Sequence, residues 1–247
     1  MDNNQSLEKV KIHAKALADF SPMLTEYSPI IISHPYTKCG IVPYCKNNDF
    51  STFTQLDITT SEENLIAWQE MIKEQIDSCN SIERIYALLN PTYQMYFVNC
   101  IKDVVSSDIF SKLLADAYVN TEYPNTNPNV PKQTMINLFK SADKKMLMSE
   151  EEHDIYSSFD DTIKIYRGVS SLSKKHINAM SWTLGKNIAK KFANRYFSEG
   201  YVFEAEIDKE YILAFFNSMQ EAEVVVDHKH LKNIKQVKES EEKVEME

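Results

Sequence analysis

The spacing of the apolar residues changes sharply along this chain near Asp160. Between residue 60 and Asp160 they recur every three or four positions, as at Trp68, Ile72 and Ile76, which predicts helices with one buried face. After Asp160 they alternate with polar residues, which predicts strands. A helical N-terminal half followed by a sheet-rich unit indicates an α+β fold.

Two capping boxes mark where predicted helices begin. In the segment 60–63, the hydroxyl of Thr60 is expected to accept from the Glu63 N–H while the glutamate side chain reaches back. Ser149 and Glu152 show the same pattern and predict a helix that runs to about Phe159.

Three regions are predicted along the chain. Residues 1–80 form an N-terminal accessory region, and 81–237 form one domain with a helical part, 81–160, and a sheet part, 161–237. The remaining residues, 238–247, have five Glu, two Lys and no core positions, so we expect an acidic disordered tail.

Composition limits the class of protein. A hydrophobic content of 43% is enough for a packed core, and a net charge of −9 disfavours a protein that coats nucleic acid or lies on a membrane. The first residues lack the basic and apolar stretches of a secretion signal, and the apolar runs are too short to span a bilayer. We therefore expect a cytoplasmic protein without a membrane partner.

The first motif that suggests chemistry is Tyr166-Arg167-Gly168, at the end of a predicted strand. An arginine there can hold a phosphate through two parallel hydrogen bonds, which a lysine cannot. Gly168 would let a ligand approach the backbone closely. The alternative is an arginine on an edge strand, paired with a carboxylate.

The second motif is Ser181-Trp182-Thr183. On a strand, both hydroxyls lie on one face and Trp182 lies on the other. Hydroxyls that face a cleft can order a ribose or hold a carboxylate in place. The alternative is an ordinary strand in which Thr183 caps the next helix.

The third motif places Glu221 and Glu223 before three valines. If the predicted strand 221–226 extends through both residues, both carboxylates point to the same face. Two carboxylates on one face commonly divide acid, base and electrostatic roles. The alternative is a solvated start of a strand.

Four basic residues lie at helical spacing on one face of a predicted helix over 185–197. They are Lys186, Lys190, Lys191 and Arg195. They form either a solvated helix face or a strip that contacts phosphates of a cofactor or of a nucleic acid.

The three motifs occur in the order Arg, then Ser-x-Thr, then Glu-x-Glu before a valine-rich strand. This order resembles that of mono-ADP-ribosyltransferases of the Arg-Ser-Glu class. More closely, the sequence resembles a group of bacterial and phage proteins with six short motifs in a fixed order. The corresponding segments here are 129–131, 147–152, 165–169, 181–183, 189–193 and 221–224. The resemblance implies a compact split β-sheet, the ADP-ribosyltransferase core.

The resemblance also implies roles in binding NAD, which would be consumed as a substrate without a metal. Arg167 would bind the pyrophosphate, and the Gly168 backbone would meet the nicotinamide amide. Ser181 would position the catalytic glutamate, and Thr183 would support the strand. Independently of the resemblance, Arg195 of the basic strip is a further candidate for binding the cofactor.

For catalysis, the resemblance implies that Glu223 bonds the ribose 2′-hydroxyl and stabilises the cation that forms as nicotinamide leaves. Glu221 would orient or deprotonate the acceptor. The segment 214–220 would recognise the target, with Phe215 or Phe216 as a candidate contact.

The expected function is transfer of ADP-ribose to an intracellular protein side chain or RNA, as a toxin or an effector in phage–host conflict. A neutralising antitoxin protein would be a partner. The alternatives are an NAD glycohydrolase and a non-catalytic module of the same fold that binds a dinucleotide or a partner.

Overall fold

The computed structural model describes residues 3–46, 49–121, 124–170, 177–195 and 200–237. The predicted acidic tail, 238–247, lies outside these residues. Contacts divide the chain into two compact units, Met1–Glu122 with Asn127–Val130 and Tyr123–Thr126 with Pro131–Glu247. Compactness alone does not define a domain, so the boundary at residue 80 stays a prediction.

The first unit is mainly helical, with short strands near its beginning. Its helices are α1 (Asn3–Ala18), α2 (Glu62–Ser78), α3 (Ile82–Ala87), α4 (Pro91–Ile101) and α5 (Ser107–Val119). Its strands are β1 (Met23–Leu24), β2 (Ile32–Ser33), β3 (Ile41–Tyr44) and β4 (Thr54–Asp57), which form the antiparallel pairs β1–β2 and β3–β4.

The predicted apolar face of α2 is confirmed, because Trp68, Ile72 and Ile76 are all buried. The predicted cap is wrong by one residue: Ser61, not Thr60, is the N-cap, and its hydroxyl accepts from the Asn64 N–H at 3.2 Å. Ser61 has the extended backbone that an N-cap requires.

Beside α2, a fully buried histidine, His34, packs its ring against the edge of Trp68 with the ring centroids 4.9 Å apart. Its Nδ1 accepts from the Tyr36 N–H at 3.1 Å. Its Nε2 therefore carries the proton and donates to the main-chain oxygen of Phe20 at 3.0 Å. Both ring nitrogens of the neutral imidazole are thus satisfied.

The second unit contains four helices in its described part and a larger sheet. The helices are α6 (Lys132–Ser141), α7 (Lys144–Leu147), α8 (Glu150–Ser157) and α9 (Lys186–Ala193). The strands are β5 (Thr162–Val169), β6 (Ser181–Thr183), β7 (Tyr201–Asp208), β8 (Ile212–Phe216), β9 (Glu223–Val226) and β10 (Lys232–Gln236). The predicted capping box of Ser149 and Glu152 is present at the start of α8.

These strands form one six-stranded antiparallel sheet in the order β10-β7-β5-β6-β9-β8. The sheet follows a helical first half, which agrees with the predicted α+β class. β5 is an interior strand with the predicted alternation, since Ile165 is buried and Lys164 is exposed. None of the helices in the described part of the chain combines the length and apolar character that a membrane crossing requires.

Candidate active site

Three neighbouring strands bring the predicted motifs side by side. Tyr166 on β5 pairs with Thr183 on β6, and Thr183 pairs in turn with Glu223 on β9. Residues paired across antiparallel strands project from the same face, so Thr183 and Glu223 share a face. Ser181, two residues from Thr183, projects from that face as well. The register places Thr183, rather than Ser181, directly opposite Glu223.

Trp182 projects from the other face, as the alternation predicted. Its side chain is only 2% exposed, and its indole N–H donates to the main-chain oxygen of Ala179 at 2.9 Å. A buried tryptophan with a satisfied N–H fixes the short strand β6 against the core. The two hydroxyls of this strand are therefore held in defined positions.

Thr183 connects its strand to two other parts of the site. Its hydroxyl donates to the main-chain oxygen of Glu221 at 2.6 Å and accepts from the Gly185 N–H at 3.1 Å. Gly185 is the N-cap residue of α9 and this helix has no side-chain cap, so the predicted alternative, in which Thr183 caps the helix, is wrong. The same hydroxyl also fixes the backbone that carries Glu221.

Glu221 does not belong to the strand, and the predicted strand 221–226 is too long. β9 begins at Glu223, because Ala222 has a φ of 43° and Gln220 a φ of 56°. This left-handed backbone cannot continue a strand, in which side chains alternate between faces. The inference that both carboxylates point to one face of a strand is therefore wrong.

Arg167 lies in the interior of the sheet, so its interpretation as an edge-strand residue is wrong. β5 pairs with β7 over eight residues of its length, but the described register joins it to β6 only at Tyr166 and Thr183. Beyond that pair the described register shows no further pairing, and we call this stretch the unpaired end of β5 and β6. There the Arg167 Nη1 donates to the main-chain oxygen of Ser181.

The structure explains why position 168 is a glycine, and the explanation differs from the one that the sequence suggested. A Cβ added at this position would lie 1.9 Å from the main-chain oxygen of Ala189 and 2.5 Å from the Ala193 nitrogen, both in α9. Only glycine lets α9 approach β5 this closely. The predicted contact of its backbone with nicotinamide stays a prediction.

The segment predicted to recognise the acceptor is partly core. Phe215 and Phe216 belong to β8 and are only 1% and 5% exposed, so neither can contact an acceptor. The exposed apolar side chain is Met219, which is 63% exposed in the turn between β8 and β9. Contact with a macromolecule at this turn would fall on Met219.

Two side chains hold this turn, the carboxylate of Glu152 and the amide of Asn217. Glu152 of the capping box accepts from the Asn217 N–H at 2.6 Å. The Asn217 side-chain oxygen then accepts from the Ala222 N–H at 3.1 Å, and the Leu184 N–H donates to the Ala222 oxygen at 3.1 Å. These bonds fix the left-handed residue between the two glutamates.

The predicted basic strip lies on the exposed side of α9. Lys186, Lys190, Lys191 and Arg195 are all exposed. Arg195 follows the C-terminus of the helix, and its guanidinium carbon is 5.5 Å from the centroid of the Phe192 ring. The strip can therefore meet phosphates in solution.

Two further basic side chains interact in series with this site, Lys132 with Arg167 and His228 with Lys132. Burial and, to a smaller extent, the positive charge of Arg167 lower the pKa of Lys132. Burial and the positive charge of Lys132 lower the pKa of His228. A sequence signal for Lys132 existed, since it directly follows the Asn-Val-Pro segment at 129–131.

A comparison with known protein families, with curated proteins and with solved structures gives no match to this chain.

Proposed function

We propose that the second unit is a mono-ADP-ribosyltransferase, which cleaves the bond between nicotinamide and ribose in NAD and transfers ADP-ribose to a macromolecule. The observation that supports this most is the adjacency of the three motifs. Arg167, Ser181 and Glu223 come from distant parts of the sequence, yet they lie on the neighbouring strands β5, β6 and β9. The described register pairs β5 with β6 at one position, which is compatible with a split-sheet core.

In the proposed reaction, the bond from ribose C1′ to the nicotinamide nitrogen breaks, and its electron pair leaves with nicotinamide. The Glu223 carboxylate stabilises the positive charge that develops on the ribose, as a fixed negative charge does in glycoside cleavage. The acceptor then forms a bond to C1′, and Glu221 takes the proton that the acceptor loses. NAD is a substrate in this scheme, and no step requires a metal ion.

The binding roles follow from the same scheme. Arg167 holds the pyrophosphate of NAD, Gly168 meets the nicotinamide amide through its backbone, and Ser181 orders the ribose beside Glu223. Thr183 acts on the acceptor side, because its hydroxyl fixes the backbone of Glu221 at 2.6 Å.

The acceptor in this proposal is a cytoplasmic protein or an RNA, and the enzyme acts as a toxin or a conflict effector that an antitoxin protein neutralises. The exposed basic strip of α9 supports RNA, because clustered cations on one helix face match a phosphate backbone. The exposed Met219 supports a protein surface instead.

The test is the release of nicotinamide from NAD by the purified chain and by the variant Glu223→Gln. We expect the variant to lose about two orders of magnitude or more in rate, since an amide cannot stabilise a cation as a carboxylate does. The matched control is Glu210→Gln, the same chemical change at an exposed position. A folded Glu223→Gln protein that releases nicotinamide at the original rate would contradict the assignment.

Labelled NAD distinguishes the remaining alternatives. Label that follows protein or RNA supports a transferase, and label found only in free ADP-ribose indicates a glycohydrolase. NAD that binds without nicotinamide release indicates a non-catalytic module.

A further inference from the structure

Two cations bond the main chain at both ends of the short segment 178–181. The Lys132 ammonium, on the first residue of α6, donates to the Asn178 oxygen at 2.5 Å. Arg167 donates to the oxygen of Ser181, three residues later. The segment thus brings together the start of α6 and the unpaired end of β5 and β6.

The turn after β9 lies beside the same segment. The Val226 N–H donates to the Met180 oxygen at 2.8 Å, and Lys229 donates to the Gln133 side chain in the first turn of α6 at 2.5 Å. His228 lies between these two attachments in the chain. We define the phosphate cluster as Lys132, Arg167 and His228.

The surroundings of the phosphate cluster disfavour additional positive charge. The pKa of Lys132 is lowered by burial and by Arg167, and the pKa of His228 is lowered by burial and by Lys132. The neighbouring Asp227 raises the pKa of His228, but that carboxylate is bonded to Lys140 at 2.6 Å and lies 3.7 Å from His230. Partly buried cations beside one another are stabilised when an anion binds between them.

One atom of the cluster shows an unfilled bonding capacity. Within the described part of the chain, the buried Nδ1 of His228 has no hydrogen-bond partner. A buried polar atom without a partner is uncommon in native proteins, because it loses its bonds to water without replacement. A ligand oxygen would give this nitrogen a partner.

We propose that Lys132, Arg167 and His228 together bind the diphosphate group of a nucleotide. A diphosphate carries more than one negative charge and several acceptor oxygens, which suits an ammonium, a guanidinium and an imidazole N–H. The assignment of NAD as this nucleotide rests on the proposed function; the diphosphate site itself does not. The new element is that Lys132 and His228 share with Arg167 the recognition of phosphate.

The test measures the Kd of ADP and of inorganic pyrophosphate by titration calorimetry, and the Tm of every protein. Lys132→Gln should raise the Kd for ADP about tenfold or more, and Lys132→Arg should restore most of the affinity because it keeps the charge. His228→Phe should raise the Kd about fivefold. Its Tm shows whether the variant is folded; in the described residues, Nδ1 has no protein partner to lose.

The matched control is Lys145→Gln, which removes an exposed lysine from α7 and should leave the Kd unchanged. Adenosine, which lacks phosphate, should bind all variants equally. Folded Lys132→Gln and His228→Phe proteins that bind ADP as tightly as the original chain would overturn the proposal. So would an original chain that binds neither ADP nor pyrophosphate at millimolar concentration.

Nicotinamide release from NAD, measured in parallel, separates this proposal from the proposed function. If the variants bind ADP more weakly but the original chain releases no nicotinamide, the results support the phosphate cluster and contradict the transferase. If the original chain releases nicotinamide and both substitutions leave ADP binding unchanged, the result contradicts the phosphate cluster but not the transferase.

Discussion

The hydroxyl of Thr183 donates a 2.6 Å hydrogen bond to the main-chain oxygen of Glu221. Through this bond, the motif Ser181-Trp182-Thr183 fixes the backbone of the motif that contains Glu221 and Glu223. The Thr183 side chain is buried, so the bond is not exposed to competition from water.

Thr183→Val keeps the shape of the side chain and removes the hydroxyl. It leaves the Glu221 oxygen and the Gly185 N–H without this partner, so we expect a loss of about 1–3 kcal/mol in the free energy of unfolding. Thr183→Ser keeps the hydroxyl and should lose about 1 kcal/mol for the buried methyl group. Urea unfolding measures both, and a valine variant as stable as the original chain would disprove the role of the bond.

Gly168→Ala should destabilise the second unit by about 2 kcal/mol or more, because the new Cβ meets the backbone of α9. Gly185→Ala is the control, since its added Cβ meets only the flexible Ile188 side chain and its φ of −95° suits alanine. We expect its stability to stay within about 1 kcal/mol of the original. Equal unfolding midpoints for the two variants in urea would show that α9 can move away.

Glu221→Ala is predicted to separate two activities. Because Glu221 lies in the turn before β9 and not in the strand, its removal should spare nicotinamide release while labelling of the acceptor falls. Labelled NAD gives both rates in one experiment, with ADP-ribose passing to water. A fall of both rates by the same factor would show that the two glutamates do not divide the work in this way.

Charge reversal of Lys186, Lys191 and Arg195 to Glu tests the acceptor. If the acceptor is RNA, labelling should fall steeply. The slope of log affinity against log salt concentration should also decrease in magnitude by about 2 to 3, because each phosphate contact releases counterions. If the acceptor is a protein, labelling should persist.

The control for this test is the same reversal at three exposed lysines elsewhere, Lys9, Lys112 and Lys145, which matches the change in net charge. An equal loss of RNA labelling in the control would point to net charge and exclude a specific role for the strip.

Acid should destabilise the first unit through His34. Burial lowers the pKa of His34 from 6.5 to about 4, although its bond to Phe20 opposes the shift. The unfolded chain therefore binds the proton more readily, so this contribution to stability is complete above pH 6.5 and is lost as the pH falls towards 4. The loss amounts to about 3 kcal/mol.

Unfolding in urea between pH 7 and pH 4 measures this slope. His34→Gln should be less stable at pH 7 but should show a shallower loss towards acid, since it has no group to titrate. His13→Gln, a histidine change elsewhere in the first unit, is the matched control. If His34→Gln loses stability towards acid as steeply as the original chain does, other groups cause the acid sensitivity.

Local pattern predicted much of the fold. The buried face of α2, the capping box of α8 and the alternation of β5 all depend on neighbours in sequence, and all are present. The cap at Ser61 was missed because Thr60 and Ser61 are both good caps, and the choice depends on backbone conformation.

The site was less accessible from sequence for two physical reasons. The left-handed conformation of Ala222 has no local signature, since alanine rarely adopts it, and tertiary hydrogen bonds hold it there. Lys132 is distant in sequence from both Arg167 and His228, so only the folded chain shows that it interacts with each of them. The burial of Phe215 and Phe216 likewise depends on packing that the apolar run alone does not specify.

Where the described pairing of β5 and β6 ends, the side chain of Arg167 connects the two strands. Its guanidinium gives the Ser181 main-chain oxygen a hydrogen-bond donor. This bond forms as the chain folds and does not depend on a ligand. An arginine that is already held in place is preorganised, so a ligand that binds it loses less free energy in ordering the side chain.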